Sequence, residues 1–196
     1  KSNDFIFVFT EIDRYVNSNT KKFSIFKCRR CDLLTINPKI NESENEIYYP
    51  NTYNPYLIEK KEVTLLSKIK KKIRDKIINF FKLDKIRYEL DKFKEKEINY
   101  LDFGSGSGKN LLNMRHLFPK WHFFGFDVSE KARRNLDLNG FASIEKFNDI
   151  PNDYFSIINL SSVIEHLFDP KEVIINLSKK LKNDGLIIVK TPNSRS

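Results

Sequence analysis

The chain has 196 residues, a length that suits one domain or one domain with a small appendage. Hydrophobic residues make up 40% of it and charged residues 31%, so it carries enough apolar material for a core and is not wholly disordered. The net charge is +9, the longest apolar runs are too short to cross a bilayer, and no stretch near the N-terminus has the order of a signal peptide, so we expect a cytoplasmic protein.

Residues 1–55 predict a small β-rich appendage. Short apolar runs bounded by polar residues favour three strands, at 5–10, 23–27 and 33–36. Cys28 and Cys31 lie between the second and third of these strands, with the C-x-x-C spacing of one zinc knuckle. Tetrahedral zinc needs four ligands and the chain offers no second cysteine pair, so these residues supply half of a zinc site.

Residues 56–97 predict a basic helical connector. Between residues 57 and 100 there are 14 basic and 8 acidic side chains, an excess of +6. Apolar residues recur at steps of three and four, as in an amphipathic helix, at Val63, Leu66, Ile69, Ile73, Ile77 and Phe80. We interpret the charge as a solvated helix face; the alternative is a surface for nucleic acid, anionic lipid or a phosphorylated acceptor. No nucleic-acid-binding signature accompanies the charge, so we expect no nucleic-acid partner.

Residues 98–196 alternate between short apolar segments and helical patterns. Strands are predicted at 99–103, 123–126, 142–146, 155–160 and 186–190. Helices are predicted at 110–118, 130–138 and 171–181, the last of them ended by the Asn183-Asp184-Gly185 turn. This alternation predicts an α/β domain with a doubly wound, Rossmann-like parallel sheet.

Three of the six glycines fall within five residues, directly after the first of these strands. They stand in the segment Leu101-Asp102-Phe103-Gly104-Ser105-Gly106-Ser107-Gly108. Glycines at such a place let the main chain turn sharply and approach a ligand closely. A phosphate-binding P-loop would need glycine at Phe103, and a dinucleotide fingerprint would need it at Lys109, so both patterns fail. In an open α/β sheet this position predicts a ligand site of another kind.

The segment resembles the first motif of the class I methyltransferases that use S-adenosylmethionine, an apolar–acidic–x-G-x-G-x-G pattern. Three later segments, 123–129, 156–170 and 181–193, are similar to the second strand, the fourth strand with its V-x-E-H-L-x-D-P continuation, and the fifth strand of that family. The resemblance covers residues 98–193, about half of the chain. It implies S-adenosylmethionine as cofactor and a domain that is incomplete at its C-terminal end, because chains of this family continue into two more strands.

The resemblance also implies roles for individual residues. Asp102 would accept hydrogen bonds from the amino group of the cofactor, Asp127 would bind both ribose hydroxyls, and Val128 would contact adenine. Either Asn148 or Asp149 would meet the adenine amino group. The remaining cofactor-binding candidates are Gly104, Ser105, Gly106, Gly108 and Ser161.

His166 is the candidate general base, because imidazole is the side chain that most often moves protons near neutral pH. The alternative is a structural histidine that begins a helix. In two branches of the fold, ubiquinone-pathway and small-RNA 3′-end methyltransferases, an E-x-x-E-H cluster binds a divalent metal. Here Ser162 takes the first position and leaves only Glu165 and His166, which counts against magnesium.

Residues 26–38, with Cys28 and Cys31, resemble the second knuckle of bacterial methyltransferases that carry an N-terminal zinc ribbon. That likeness would place the missing cysteine pair before Lys1, so we expect a chain truncated at both ends. Many such relatives modify sugars or other metabolites, so we expect a small-molecule or glycan acceptor, in surface-polysaccharide or secondary metabolism. The alternatives are a lipid-quinone or RNA methyltransferase, or a non-catalytic nucleotide-binding scaffold. The oligomeric state is not determined by the sequence.

Overall fold

The computed structural model describes residues 4–12, 21–40 and 89–192. The predicted amphipathic stripe from Val63 to Phe80, and the rest of the connector before residue 89, lie outside these ranges. Among the described residues, no helix combines the length and the apolar character needed to cross a membrane.

The N-terminal part forms an antiparallel sheet of three strands in the order β1-β2-β3. These strands are β1, Phe5–Ile12, β2, Lys22–Cys28, and β3, Leu34–Asn37. Between β2 and β3 the chain reverses in a tight turn, in which the main-chain N–H of Cys28 donates to the carbonyl of Leu33 at 2.8 Å. The three predicted strands are confirmed: the first two are two residues longer than predicted, and the third is shifted by one residue.

The second sheet has five parallel strands in the order β6-β5-β4-β7-β8. Its strands are β4, Asn99–Phe103, β5, His122–Phe126, β6, Ala142–Ile144, β7, Phe155–Ser161, and β8, Leu181–Lys190. Three helices connect them: α1, Lys109–Leu117, α2, Glu130–Leu138, and α3, Pro170–Ser178. Short 3-10 turns occupy Phe147–Asp149 and Ile164–His166. The predicted Rossmann-like fold is confirmed.

The two faces of this sheet bury separate apolar clusters, because successive side chains of a strand point to opposite faces. One cluster joins Tyr100 and Ile157 to Leu111 of α1 and Leu136 of α2. The other joins residues of β4, β5, β7 and α3, among them Leu101, Phe126, Ile158 and Leu177. Helices therefore cover both faces, which fixes the glycine segment at an edge rather than on a face of the sheet.

The last described residues of the connector contribute to the first of these clusters. Leu90 is buried in it, and Phe93 packs against it. The indole N–H of Trp121 donates to the carbonyl of Phe93 at 3.0 Å, and its ring stacks on Phe118 at a centroid distance of 3.9 Å. The predicted division into residues 1–55, 56–97 and 98–196 stays a prediction, although the core already begins at Leu90.

The predicted end of the third helix is wrong. We expected a helix through 171–181 and a strand from 186, but α3 ends at Ser178 and β8 begins at Leu181. The main-chain N–H of Phe155 donates to the carbonyl of Lys180 at 3.0 Å, so the chain pairs with the start of β7 directly after α3 ends. The register then shifts, because β8 advances from Leu181 to Leu186 while β7 advances only from Phe155 to Ile157.

Candidate functional site

The glycine segment follows β4 and leads into α1 at the carboxyl edge of the sheet. The main-chain N–H groups of Gly104 and Ser105 both donate to the carbonyl of Phe126, at 2.8 and 3.1 Å. The N–H of Gly106 donates to Asp127 Oδ2 at 2.8 Å. The loop after β4 is therefore fastened to the end of β5, and Ser105 is buried between them.

The backbone of this loop requires glycine at three places. Gly104, Gly106 and Gly108 have φ angles of 75°, 53° and 76°, in the left-handed region that residues with a side chain rarely adopt. A Cβ atom on Gly104 would also lie 2.5 Å from Cγ2 of Val163, in the loop after β7. The missing side chain thus permits a close approach of the β4 and β7 loops.

Asp127 ends β5 and is nearly buried, with 5% of its surface exposed. Its Oδ2 accepts from Gly106 N and its Oδ1 accepts from Ser129 N at 2.9 Å. Arg133 of α2 donates to the main-chain oxygens of Asp127 and Val128, both at 2.9 Å. Burial raises the pKa of Asp127, and the N–H donors together with the Arg133 charge oppose that rise. Val128 beside it exposes 77% of its surface.

Asp102 lies two residues before the first glycine, inside the sheet. It is 3% exposed, and Asn159 Nδ2 donates to its Oδ1 at 2.7 Å. Burial raises the pKa of Asp102 to about 6, although hydrogen bonds from Asn159 and Asn110 lower it and the nearby Asp127 charge adds to the rise. Asn110 also donates to the hydroxyl of Tyr100 at 3.2 Å.

Sequence reasoning missed three of these partners, Asn110, Asn159 and Arg133. Asn159 had a recognisable signal, an amide inside the otherwise apolar strand Phe155–Ser161, because polar groups in buried strands need partners. Arg133 had none, because it is one of several basic residues on α2 and only the fold directs it to the end of β5.

The other predicted cofactor residues lie on turns at the same edge. Asn148 and Asp149 are exposed on the 3-10 turn after β6. Phe147 anchors that turn, because its ring meets Phe103 and Phe126 edge-on at 5.9 and 6.2 Å.

The predicted residues of strand four follow the end of β7. Ser161 is the last residue of β7, and Ser162 N donates to the carbonyl of Lys190 at 2.7 Å. His166 ends a 3-10 turn rather than beginning a helix, with 43% of its side chain exposed and its Nε2 4.0 Å from Oε1 of Glu165. The helix begins later, at Pro170, where the side chain of Asp169 accepts from Glu172 N at 3.0 Å.

This arrangement can now be compared with known proteins. A family profile described as a methyltransferase domain matches residues 67–196, more than half of the chain. The chain belongs to this methyltransferase family. A curated relative, the tRNA (guanine-N(7)-)-methyltransferase of Prochlorococcus marinus (strain MIT 9215), is 27% identical over an alignment 139 positions long, and the match covers 58% of this chain and 66% of the relative.

Solved structures share the fold of the methyltransferase domain. A candidate sarcosine dimethylglycine methyltransferase from Galdieria sulphuraria is 16% identical with a TM-score of 0.50, over 60% of this chain and 48% of its own. A SAM-dependent methyltransferase from Archaeoglobus fulgidus is 20% identical with a TM-score of 0.47, over 68% of this chain and 61% of its own. The methyltransferase chain thus spans less than two thirds of the length of either structure.

The N-terminal sheet of the methyltransferase reaches the loop that follows β7. Lys39 Nζ lies 5.5 Å from the ring centroid of Phe168, and 60% of the surface of Phe168 is exposed. Phe168 is two residues beyond His166. A cation–aromatic contact therefore joins the segment after β3 to the loop that carries His166, although the two are far apart in the sequence.

The two cysteines of the methyltransferase lie at the β2–β3 turn and form no disulfide. Cys28 is buried and Cys31 is exposed. Within residues 4–12, 21–40 and 89–192, no three or more His, Cys, Asp or Glu side chains are grouped so that they could hold a metal ion. Zinc at Cys28 and Cys31 stays a prediction.

Proposed function

We propose that this methyltransferase domain binds S-adenosylmethionine and transfers its methyl group to a small-molecule or sugar acceptor. The observation that carries the proposal is the carboxylate of Asp127. Each of its oxygens accepts one main-chain N–H, from Gly106 or Ser129. A carboxylate oxygen has two lone pairs, so each oxygen retains capacity for one ribose hydroxyl. The hydrogen bonds already made would fix the carboxylate in the orientation that such a bidentate contact needs.

The residues around Asp127 fit the remaining parts of the cofactor. The glycine loop brings main chain without side chains to the edge of the sheet, where the methionine and ribose portions would lie. Val128 offers an exposed apolar side chain to the adenine ring, and Asn148 or Asp149 would meet the adenine amino group. Asp102 would attract the cationic amino group of the methionine portion, and Ser161 would line the site at the end of β7.

The chemistry asks little of the protein beyond positioning, because the sulfonium already activates the methyl group. His166 is the residue that would accept the proton of the acceptor. Its exposed imidazole lies in the loop after β7, on the carboxyl edge of the sheet. Exchange of His166 for alanine should lower kcat at least tenfold while the Kd for S-adenosylmethionine stays within twofold.

The control for that exchange is His122→Ala, because His122 is also exposed but pairs with Glu97 at the start of β5. Turnover should be unchanged in this variant. Equal turnover in His166→Ala would remove the imidazole from the mechanism.

The contact between Lys39 and Phe168 supports a sugar nucleotide or a glycan as the acceptor. The exposed ring of Phe168 could contact the apolar face of a sugar, and the Lys39 ammonium beside it could pair with a phosphate. Phe168 is two residues beyond the proposed base, and Lys39 contacts its ring. We therefore place the acceptor between the N-terminal sheet and the loop after β7.

Isothermal titration tests the cofactor. We expect the chain to bind S-adenosylmethionine and not NAD. Asp127→Asn should weaken the Kd at least tenfold, because each lost hydrogen bond to a charged group is worth about 1.5–3 kcal/mol. Asp137→Asn is the matched control, since Asp137 is an exposed aspartate of α2 that accepts from Ser143 Oγ. Absence of binding in the unmutated chain would overturn the proposal.

A tRNA acceptor is the second candidate. It is favoured by the named activity of the Prochlorococcus relative and by the +6 excess over residues 57–100. Transfer of a labelled methyl group to bulk tRNA, compared with sugar nucleotides under the same conditions, separates the two acceptors. Labelled tRNA would decide for this second candidate.

We also propose that Cys28 and Cys31 are two ligands of a zinc site. The turn that carries them supports this, because Asp32 N donates to Cys28 O at 3.0 Å and keeps the two cysteines on one tight bend. Metal analysis of the purified chain tests the proposal. Two thiolates are half of a tetrahedral site, so zinc should be present only where two further ligands are supplied, and it should be lost in Cys31→Ser.

A further inference from the structure

We infer that Asn159 is a positioning residue, which acts through Asp102 to hold its carboxylate ready for the cationic amino group of the methyl donor. The inference rests on the proposed function, and it assigns a task to a side chain that no sequence motif singled out. Asn159 would orient a carboxylate that binds the cofactor and would not contact the cofactor itself.

The contact is set by the register of two neighbouring strands. Asp102 of β4 and Asn159 of β7 are directly opposite each other in the parallel ladder. Their side chains meet through the 2.7 Å bond from Asn159 Nδ2 to Asp102 Oδ1, with 3% and 8% of their surfaces exposed. A buried bond of this length to a carboxylate is both short and strong, because the acceptor carries a charge.

Asparagine at this place is not explained by packing alone. The rest of β7 is apolar or small, and an aliphatic residue of similar size would join the buried cluster without desolvating an amide. The amide does supply a donor that an ionised carboxyl needs, since a buried carboxylate without donors takes up a proton. Asn159 therefore keeps Asp102 ionised as well as oriented.

Other groups around Asp102 shift its pKa, some upward and some downward. Asn110, in the first turn of α1, also donates to Asp102 and lowers its pKa, whereas the charge of Asp127 raises it. The hydroxyl of Tyr100 accepts from Asn110 and stays protonated, because burial and the Asp102 charge raise its pKa well above the usual value. Removal of Asn159 would leave only Asn110 as a side-chain donor among the described residues around this carboxyl.

The test compares the pH dependence of S-adenosylmethionine binding between the unmutated chain and two variants. In the unmutated chain, affinity should fall as the pH drops through the pKa of Asp102, about 6, because the protonated carboxyl no longer attracts the amino group. In Asn159→Leu the midpoint should move upward by about one pH unit, which by itself weakens the Kd at pH 7 about twofold and at pH 6 about fivefold. Asn159→Ser, which is too short to reach Asp102, gives the same readout if the leucine variant fails to fold.

Two further measurements separate positioning from a structural role. The pKa of Asp102 can be read from its carboxyl ¹³C shift in the cofactor-free chain, assigned with Asp102→Asn, and should rise in both Asn159 variants. Ser156→Ala is the matched control, because Ser156 is a polar residue of β7 that is 7% exposed and not opposite Asp102. It should leave the midpoint where it was.

The outcomes distinguish this inference from the proposed function. If the unmutated chain fails to bind S-adenosylmethionine at any pH, the proposed function fails. If the unmutated chain binds and the Asn159 variants bind with the same midpoint and the same Asp102 pKa, Asn159 has no positioning role and the inference is overturned, whatever happens to their melting temperatures.

Discussion

At the scale of single residues, Asp102 illustrates the conflict between stability and binding. A carboxyl group buried in the sheet loses its hydration, and two amides compensate only in part, so its pKa rises from 3.8 to about 6. At neutral pH the group is nevertheless ionised, which is the form a cationic ligand requires. The fold therefore carries a charge that it would be more stable without.

This conflict predicts the effect of Asp102→Asn. Because the folded-state pKa lies above the unfolded one, the native state binds the proton more tightly and its stability falls as the pH rises from 4 to 6. The difference between the two pKa values corresponds to about 3 kcal/mol at pH 7, an upper figure for the gain expected when the charge is removed. Urea unfolding at pH 7 should show an increase of about 1–3 kcal/mol in the free energy of unfolding, together with loss of cofactor binding.

The same comparison at pH 4 is the control. There the carboxyl is protonated in the native state, so the variant and the unmutated chain should be nearly equally stable. An increase of the same size at pH 4 and pH 7 would contradict the electrostatic explanation and point to a packing effect instead.

At the scale of elements, the site depends on how closely the loop after β4 approaches the loop after β7. Val163 occupies the space where a side chain of residue 104 would stand. The approach joins the glycine loop, which carries main chain toward the cofactor, to the segment that carries His166. The proposed cofactor loop and the segment with the proposed base are therefore linked through the contact of Gly104 with Val163.

Gly104→Ala tests that contact. Alanine at this position would have to adopt a φ of 75°, and its Cβ would lie 2.5 Å from Cγ2 of Val163. Backbone strain and steric overlap should together lower the free energy of unfolding by about 2–4 kcal/mol. Gly140→Ala is the matched control, because its φ of 70° is equally unfavourable but nothing lies within 4 Å of its Cβ. The control should lose only about 1 kcal/mol. Equal losses in the two variants would show that the loops do not touch.

At the scale of the whole molecule, a cation–π contact links the N-terminal part to the loop that follows β7. The contact runs from Lys39, just beyond β3, to Phe168, just before α3. It brings a positive charge from the appendage to the loop that follows β7. We propose that this contact helps to select the acceptor and takes no part in cofactor binding.

Lys39→Ala should therefore act on the acceptor and not on the cofactor. With a sugar nucleotide as acceptor, we expect KM to rise about tenfold while the Kd for S-adenosylmethionine is unchanged, because one charge-assisted contact to phosphate is lost. Lys21→Ala is the control, since Lys21 lies over the ring of Phe23 at 5.7 Å in a comparable contact within the N-terminal part. A lowered cofactor affinity in Lys39→Ala would contradict this assignment.

The sequence by itself determined the fold of residues 98–192 and the place of the glycine loop. Strand and helix patterns are local, and glycines directly after a strand mark the carboxyl edge of a parallel sheet wherever the strand lies in it. The prediction was wrong at the start of β8, because Leu181 pairs with Phe155 of β7 ahead of the turn-like residues 182–185, after which the pairing resumes at Leu186.

The tertiary structure alone decided which side chains serve that loop. Asp102 and Asn159 are 57 residues apart, and only the order of β4 beside β7 makes them neighbours. Lys39 likewise lies beside Phe168 although the two residues are far apart in the sequence. The spacing of residues in the sequence predicts contacts within one or two helical turns. Hydrogen bonds and ion pairs between elements depend on the strand order and on packing, and no single stretch of residues specifies these.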